Sequence, residues 1–237
     1  MSFPAPPRHE GGPGVGGPGV GGPDVGAVGE GAVGEGAVVG ASWDALVLAG
    51  GGSRRMGGDD KITLRVGGVR LLDRVLGAVE AAGSVGRIIA VGPPRAPAPG
   101  ARPLRWTRED PPGGGPVAAI AAGLRLVAAP LVVVLAADLP FLGAVEIRGL
   151  LRRVRVPGAE VVLLSDPSGR PQYLAAAWHT AALRARLPVD PAGCAVRSLL
   201  AGRAVPTVPA SARACLDCDD PGGLATARAL DAAAGRP

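Results

Sequence analysis

Apolar and polar positions fall in blocks along most of this chain, and the spacing within the blocks changes from one to the next. Residues 45–48 (ALVL) are a short apolar run ending in three glycines, which predicts a buried strand entering a loop. Leu71–Ala82, LLDRVLGAVEAA, spaces its apolar residues three and four apart and predicts an amphipathic helix. Residues 87–91 (RIIAV) predict a second strand, stopped by Gly92-Pro93-Pro94, and residues 104–107 a short third. Residues 116–128 are Ala-rich and predict a helix, with Pro116 near its first turn, where a missing N–H costs little. Leu131–Ala136 (LVVVLA) is apolar on both faces, as a central parallel strand requires. Ala144–Val154 predicts a helix, residues 160–165 a strand, 166–169 a turn and 172–177 an antiparallel return. Helices are expected at 179–187, 195–201 and 224–234, and a strand at 204–208.

Strands alternating with helices of about 10–15 residues predict an α/β fold, a three-layer, doubly wound, mostly parallel sheet of Rossmann-like type. Ligands of such sheets sit at the carboxyl ends of the strands. The glycine loop after residues 45–48 and Asp138 after Leu131–Ala136 both fall on that edge. Residues 1–41 read differently. GGPGV recurs at 11–15 and 16–20, and GAVGE at 26–30 and 31–35. Glycine carries high backbone entropy and proline blocks helix and central strand, so this segment is expected to be a disordered tail, with residues 42–237 the folded domain.

Composition narrows the class. The chain is 47% hydrophobic but only 3% aromatic, so the core of its 237 residues must be built from Ala, Val and Leu. No apolar stretch reaches the ~18 residues of a membrane helix, and no basic segment precedes an apolar signal core. Three cysteines make no disulfide framework. A cytoplasmic protein with no membrane partner is expected. The tail carries a net charge of −3 and the whole chain +5, so the remainder carries +8, which favours an anionic partner. Six aromatics make a nucleic-acid surface a poor match. Only Lys61 among the 25 basic residues is not Arg. In a background that avoids Lys, one compact ammonium suggests a place among phosphate oxygens.

The chemistry concentrates in residues 46–61, LVLAGGGSRRMGGDDK. A Walker A loop fails, since Gly58 stands where its Lys belongs after Gly52 and Gly57. A dinucleotide fingerprint fails at Arg55, where the third Gly should follow Gly50 and Gly52. The loop still suits phosphate. Its glycines let backbone N–H groups approach an anion, and Arg55 and Lys61 add charge that would neutralise a triphosphate and stabilise departing pyrophosphate. Asp138 offers hard oxygen to Mg2+ at the same edge, and it lies too far upstream to cap the helix starting at Ala144. Asp110, before Pro111-Pro112, reads equally as a turn former. Cys215 and Cys218 have metal-type spacing but no evident third and fourth ligand.

LAGGGSRRMGGDDK resembles the N-terminal signature of the molybdenum cofactor guanylyltransferases, the MobA-like nucleotidyltransferases, written LAGGxxxRMGGxDK. Glu109-Asp110 with residues 115–120 is similar to the family's ED…GPLAGI, residues 137–141 to its CDMPF, and residues 217–221 to the start of its NxNTPEDL. Gly169-Arg170-Pro171-Gln172 resembles a strand entry in its substrate lobe. The resemblance spans residues 45–228 and implies roles. Leu48, Ala49, Gly50 and Gly51 would meet a guanine nucleotide through the backbone, Asp110 would help hold the nucleoside, and Arg55 and Lys61 would bind the triphosphate. Asp138 would bind the nucleotide and a catalytic Mg2+. The implied activity is Mg2+-dependent transfer of GMP from GTP to molybdopterin, by in-line attack at the α-phosphorus with release of pyrophosphate. CTP as donor, another small phosphorylated acceptor, or an inactive nucleotide-binding regulator remain as competing readings. A monomer or small homo-oligomer is expected. The chain also departs from the pattern. Val91-Gly92-Pro93 stands where the family carries an Asn, and Asp217, Asp219 and Asp220 replace Asn, Asn and Thr. Carboxylates at 217 and 219 would repel an acceptor phosphate or help hold a metal.

Overall fold

In a computed structural model, residues 42–51, 60–96, 102–200 and 202–235 are described, with positions 2, 4, 98 and 100. The tail, but for Ser2 and Pro4, lies outside the described residues, as do Gly52 and Arg55. A seven-stranded sheet carries the fold. Its strands in chain order are β1 (Trp43–Leu48), β4 (Val85–Val91), β5 (Arg105–Thr107), β6 (Leu131–Ala136), β7 (Val161–Ser165), β8 (Pro171–His179) and β9 (Thr207–Pro209), and β2 (Arg65–Val66) with β3 (Val69–Arg70) makes a separate small hairpin. The sheet order is β5-β4-β1-β6-β8-β7-β9. β5, β4, β1 and β6 run parallel, and β8 is antiparallel to both β6 and β7. This is the doubly wound, mostly parallel α/β sheet expected from the alternation of elements.

The two faces of β1 separate the layers. Ala45 and Val47 pack with α1 (Leu71–Ala82) and α3 (Ala144–Val154), while Leu46 and Leu48 pack with α2 (Gly115–Leu124) and α4 (Thr180–Arg186). Residues 45–48 are therefore apolar whichever way they point, as a strand covered on both faces must be. α1 shows the matching helical logic. Leu71, Leu72, Val75, Leu76, Ala78 and Val79 are buried on its inner stripe, each large side chain contributing about 1.5–3 kcal/mol. A third cluster joins Val66, Leu71 and Cys218 to Leu224 and Ala227 of α5 (Pro221–Ala234) and fixes the chain's last helix near the hairpin.

Three departures from the sequence reading have local causes. The segment expected as a helix at 195–201 is a 3-10 helix, Val196–Leu200. α4 begins at Thr180 because β8 continues through His179, which pairs with Leu131. The β2–β3 hairpin was not foreseen, although its two-residue turn is Gly67-Gly68, with positive φ at both.

One buried charge anchors the sheet's far end. Asp44, 2% exposed, accepts hydrogen bonds from the backbone N–H of Arg87 (2.7 Å), Ala128 (2.7 Å) and Ala129 (3.0 Å). Three amide hydrogens compensate the burial of its carboxyl oxygens. It ties β1 to β4 and to the turn before β6, and so holds three central strands in register on the way to their carboxyl ends.

Candidate active site

The carboxyl ends of the central strands are stitched together just past the last ladder pairs. Ala49 N donates to Val91 O (2.8 Å), Ala137 N to Leu48 O (3.1 Å) and Gly92 N to Thr107 O (2.8 Å). β5, β4, β1 and β6 thereby present one aligned rim. Gly92 makes the close approach possible. Its φ is +148°, and a Cβ there would lie 2.6 Å from the Ala49 carbonyl oxygen and 2.7 Å from Gly50 N. The family pattern's Asn has no room at this position.

A cavity of about 680 Å³ opens on this rim, within the range of small-molecule sites. Leu48, Gly50, Gly51, Gly92, Glu109 and Asp138 all line it. Gly51 takes φ +134°, a conformation open to glycine and strained for other residues. Ala49 is buried just behind, and its amide is committed to Val91. Asp110 is exposed and outside the lining, whereas its neighbour Glu109 is on it and accepts from Gly113 N (3.0 Å).

Lys61 is the charged centre. It opens a short 3-10 helix, Lys61–Thr63, and reaches across to β6. Its Nζ donates to Asp138 Oδ2 at 2.5 Å and to Asp219 Oδ1 at 2.6 Å. Burial by itself lowers the pKa of the ammonium, but the charges and hydrogen bonds of Asp138 and Asp219 outweigh it and hold the value above the usual one. The ammonium is therefore fully charged at neutral pH.

Asp138 sits just past β6, and its side chain is 8% exposed. Oδ2 receives Lys61, while Oδ1 is buried with no hydrogen-bond partner among the described residues. A buried carboxylate oxygen left without a partner is costly, and a cation would satisfy it. Asp219 adds a second carboxylate through the shared Lys61. Mg2+ binds through one or two carboxylates and completes its shell with water and phosphate, so the residues present fit that ion. Among the described residues, no three His, Cys, Asp or Glu side chains form a closed metal cage.

The segment 217–220, which departs from the family pattern, divides its roles. Cys218 N donates to the Asp138 carbonyl (3.1 Å), pinning this segment beside β6. Asp219 joins Lys61. Asp220 caps α5, accepting from Gly223 N at 2.8 Å, work that an Asp does as well as a Thr. Asp217 is exposed at its surface, and desolvation by its neighbours followed by the charges of Asp219 and Asp138 raises its pKa. A second cavity of about 510 Å³ adjoins this segment, lined by Asp166, Ser168, Arg170, Gln172, Cys215 and Asp217.

Sequence reasoning missed Asp219 as a partner of Lys61, because 158 residues separate them. It also missed Arg95, in the Pro-rich stretch after β4, and Arg108, just past β5, both on the cavity wall, since no pattern marks either. Among the described residues, no helix is long and apolar enough to cross a membrane.

Comparison with known proteins agrees with this geometry. The MobA-like NTP transferase domain matches residues 45–211, well over half of the chain. A Mycobacterium tuberculosis protein named as a probable molybdenum cofactor guanylyltransferase is 39% identical over 140 residues, 57% of this chain and 67% of its own. Two solved structures share the fold. A nucleotidyl transferase from Methanothermobacter thermautotroptrophicus superposes with a TM-score of 0.66 at 20% identity, covering 82% of this chain and 99% of that one. The molybdopterin-guanine dinucleotide biosynthesis protein A of Archaeoglobus fulgidus does so with a TM-score of 0.56 at 19% identity, covering 80% and 99%. A glycine-lined rim, a lone Lys on a buried Asp and a match spanning most of the sheet lead to one assignment: the chain belongs to the MobA-like NTP transferase family and is a nucleotidyltransferase.

Proposed function

We propose that this enzyme transfers GMP from GTP to molybdopterin in the cytoplasm, with Mg2+ and with release of pyrophosphate, as a monomer or small homo-oligomer. The observation that carries the reading is the Lys61–Asp138 pair at the mouth of the aligned strand ends, beside a cavity of nucleotide size. The relative named as a molybdenum cofactor guanylyltransferase supports GTP as donor and molybdopterin as acceptor.

Phosphoryl and nucleotidyl transfers need little covalent help from the protein, so positioning and charge neutralisation carry the catalysis. The Gly50–Gly51 backbone lies against the nucleotide on the rim, with Leu48 and Ala49 fixing its height above the sheet. Asp110 lies on the segment after β5 that borders the nucleoside end. Lys61, with Arg55 from the preceding loop, neutralises the triphosphate and the departing pyrophosphate. Asp138, aided by Asp219, would hold Mg2+, which when bound screens the α-phosphate as its charge redistributes. The second cavity takes the acceptor and delivers its phosphate past segment 217–219. Gly92 leaves the base to be recognised by backbone and by side chains other than an Asn.

The test is Mg2+-dependent binding of GTP, CTP, ATP and UTP to the full chain, followed by pyrophosphate release on adding molybdopterin. GTP preference lost in Lys61→Ala, with release that needs molybdopterin, is the expected result. A CTP preference moves the donor to cytidylyl chemistry. Binding without release to any acceptor makes the protein a nucleotide-responsive regulator, and binding of none of the four rejects the reading.

A further inference from the structure

We infer that the Asp60–Arg95 ion pair is a positioning device that sets Lys61 over the rim; the inference rests on the reading of Lys61 as the phosphate-binding ammonium. Asp60 immediately precedes Lys61 and begins its 3-10 helix, a place where an Asp side chain normally folds back to cap the first N–H groups. It does not do so here. Only its backbone carbonyl serves the turn, accepting from Thr63 N (2.9 Å) and Thr63 Oγ1 (2.7 Å). The carboxylate turns outward to Arg95 instead. Arg95 Nε donates to Oδ2 and Nη2 to Oδ1, both at 2.8 Å, the parallel two-bond geometry that fixes direction as well as distance.

The third guanidinium nitrogen is also committed. Arg95 Nη1 donates to the carbonyl of Pro93, the residue after Gly92. Arg95 lines the cavity, yet each of its three nitrogens already donates to Asp60 or Pro93, three of its five N–H groups, so its orientation is set by the protein before any ligand arrives. The contacts make a strap. Asp138 on β6 holds Lys61, Lys61 follows Asp60, Asp60 is forked by Arg95, and Arg95 is tied to Pro93 just past β4. β4 and β6 flank β1 in the sheet, so the strap crosses above the glycine end of β1. A lysine is four flexible carbons long, and its charge is useful to a phosphate only if its root is fixed. Asp138 fixes the tip and the Asp60–Arg95 fork fixes the root.

Lys61 is the only lysine of the chain, so an amine-acylating reagent reads this one side chain, and peptide mass analysis separates it from the N-terminus. The rate of Lys61 acylation at fixed pH is measured in the full chain and in Asp60→Asn, Arg95→Met and the double variant. A positioning fork predicts that each single variant raises the rate by about fivefold, the weight of a half-exposed ion pair, and that the double variant does no more. Nucleotide affinity should fall by a similar factor, and the same substitutions should have no further effect in Lys61→Ala. Arg95→Lys, which keeps one of the two bonds, should fall between. The two singles remove opposite charges. If the pair acted on Lys61 only through its field, Asp60→Asn and Arg95→Met would move the rate in opposite directions, and that result overturns the inference. So does a loss of nucleotide affinity in Arg95→Met that Asp60→Asn does not share, which would make Arg95 a direct ligand. If the wild type binds none of the four nucleotides, the proposed function fails, while the acylation rates still decide whether the fork positions Lys61.

Discussion

Replacing Gly92 with Asn returns the amide that the family pattern carries, and the structure predicts damage in place of restored recognition. Gly92 has φ +148°, and a Cβ there would stand 2.6 Å from Ala49 O and 2.7 Å from both Ala49 C and Gly50 N. All three are backbone atoms, so no side-chain rotamer relieves the clash. Reaching ordinary contact at 3.4 Å requires β1 and β4 to part by about 0.8 Å at their carboxyl ends. That motion stretches Ala49 N→Val91 O and crowds Gly92 N→Thr107 O on the β5 side, both 2.8 Å now. With ~1 kcal/mol for each strained hydrogen bond and ~1–3 kcal/mol for the backbone strain, the total is about 3–5 kcal/mol. This is a large part of the ~5–15 kcal/mol that keeps a domain folded. Urea unfolding should show a lower midpoint with an unchanged slope. Nucleotide titration of the folded fraction should show weakened binding, since residues 48–51 must shift. Gly92→Ala should cost nearly as much, because the Cβ is the offending atom. A Gly92→Asn protein as stable as wild type that binds GTP more tightly would refute the reasoning.

Two further outcomes follow from carboxylates away from the Lys61 pair. Asp44→Ala strips the acceptor from three backbone N–H groups, at ~1–3 kcal/mol each, and should lower the melting temperature by roughly 6–12 °C or more while leaving the nucleotide affinity of the folded protein unchanged; altered affinity at an unchanged melting temperature would contradict its structural role. Asp217 has a folded-state pKa above the ordinary 3.8, so the folded chain holds its proton more tightly than the unfolded chain, and this group costs stability increasingly as pH rises from about 4 through the folded value. Asp217→Asn should therefore raise the unfolding midpoint at pH 7 and give no gain near pH 4 or below, and an equal gain at both would show that the ionisation is not the cause.

The sequence carried the elements whose cause is local. α1 was legible because LLDRVLGAVEAA is periodic over three turns, and β6 because five consecutive apolar residues fit only a strand covered on both faces. The placing of Asp138 on the carboxyl edge followed from β6 and from the general geometry of parallel sheets. What escaped depends on tertiary approach. Asp44 reads as an ordinary polar residue in a strand, and only the arrival of Arg87, Ala128 and Ala129 gives its burial a reason. Residues 195–201 are apolar enough for a helix, but one bounded by Gly193 and Gly202, both at positive φ, is confined to a short 3-10 helix. Gly92 looked like a lost recognition residue, whereas its backbone contact with Ala49 and Gly50 shows that the rim is built around the missing Cβ.

The resting electrostatics of the site bear on how the proposed nucleotide and divalent cation would bind together. Lys61 carries one positive charge and touches two carboxylates, Asp138 and Asp219, so this trio is net negative. A bare triphosphate approaching it meets repulsion from both carboxylates before it gains anything from the ammonium. The two pairs differ in how easily they yield. Asp138 is nearly buried, and separating its charge from Lys61 would leave a costly unpaired carboxylate. The Asp219 side chain is 53% exposed, and a pair so open to water contributes about 1 kcal/mol or less. An arriving phosphate oxygen therefore takes the place of Asp219 on Lys61 and leaves the Asp138 contact standing. A displaced Asp219 would remain on the rim with Asp138, whose Oδ1 has no hydrogen-bond partner among the described residues. Two adjacent carboxylates facing a polyphosphate repel it and each other, so under the proposed function a bound nucleotide would itself raise the affinity of this rim for a divalent cation.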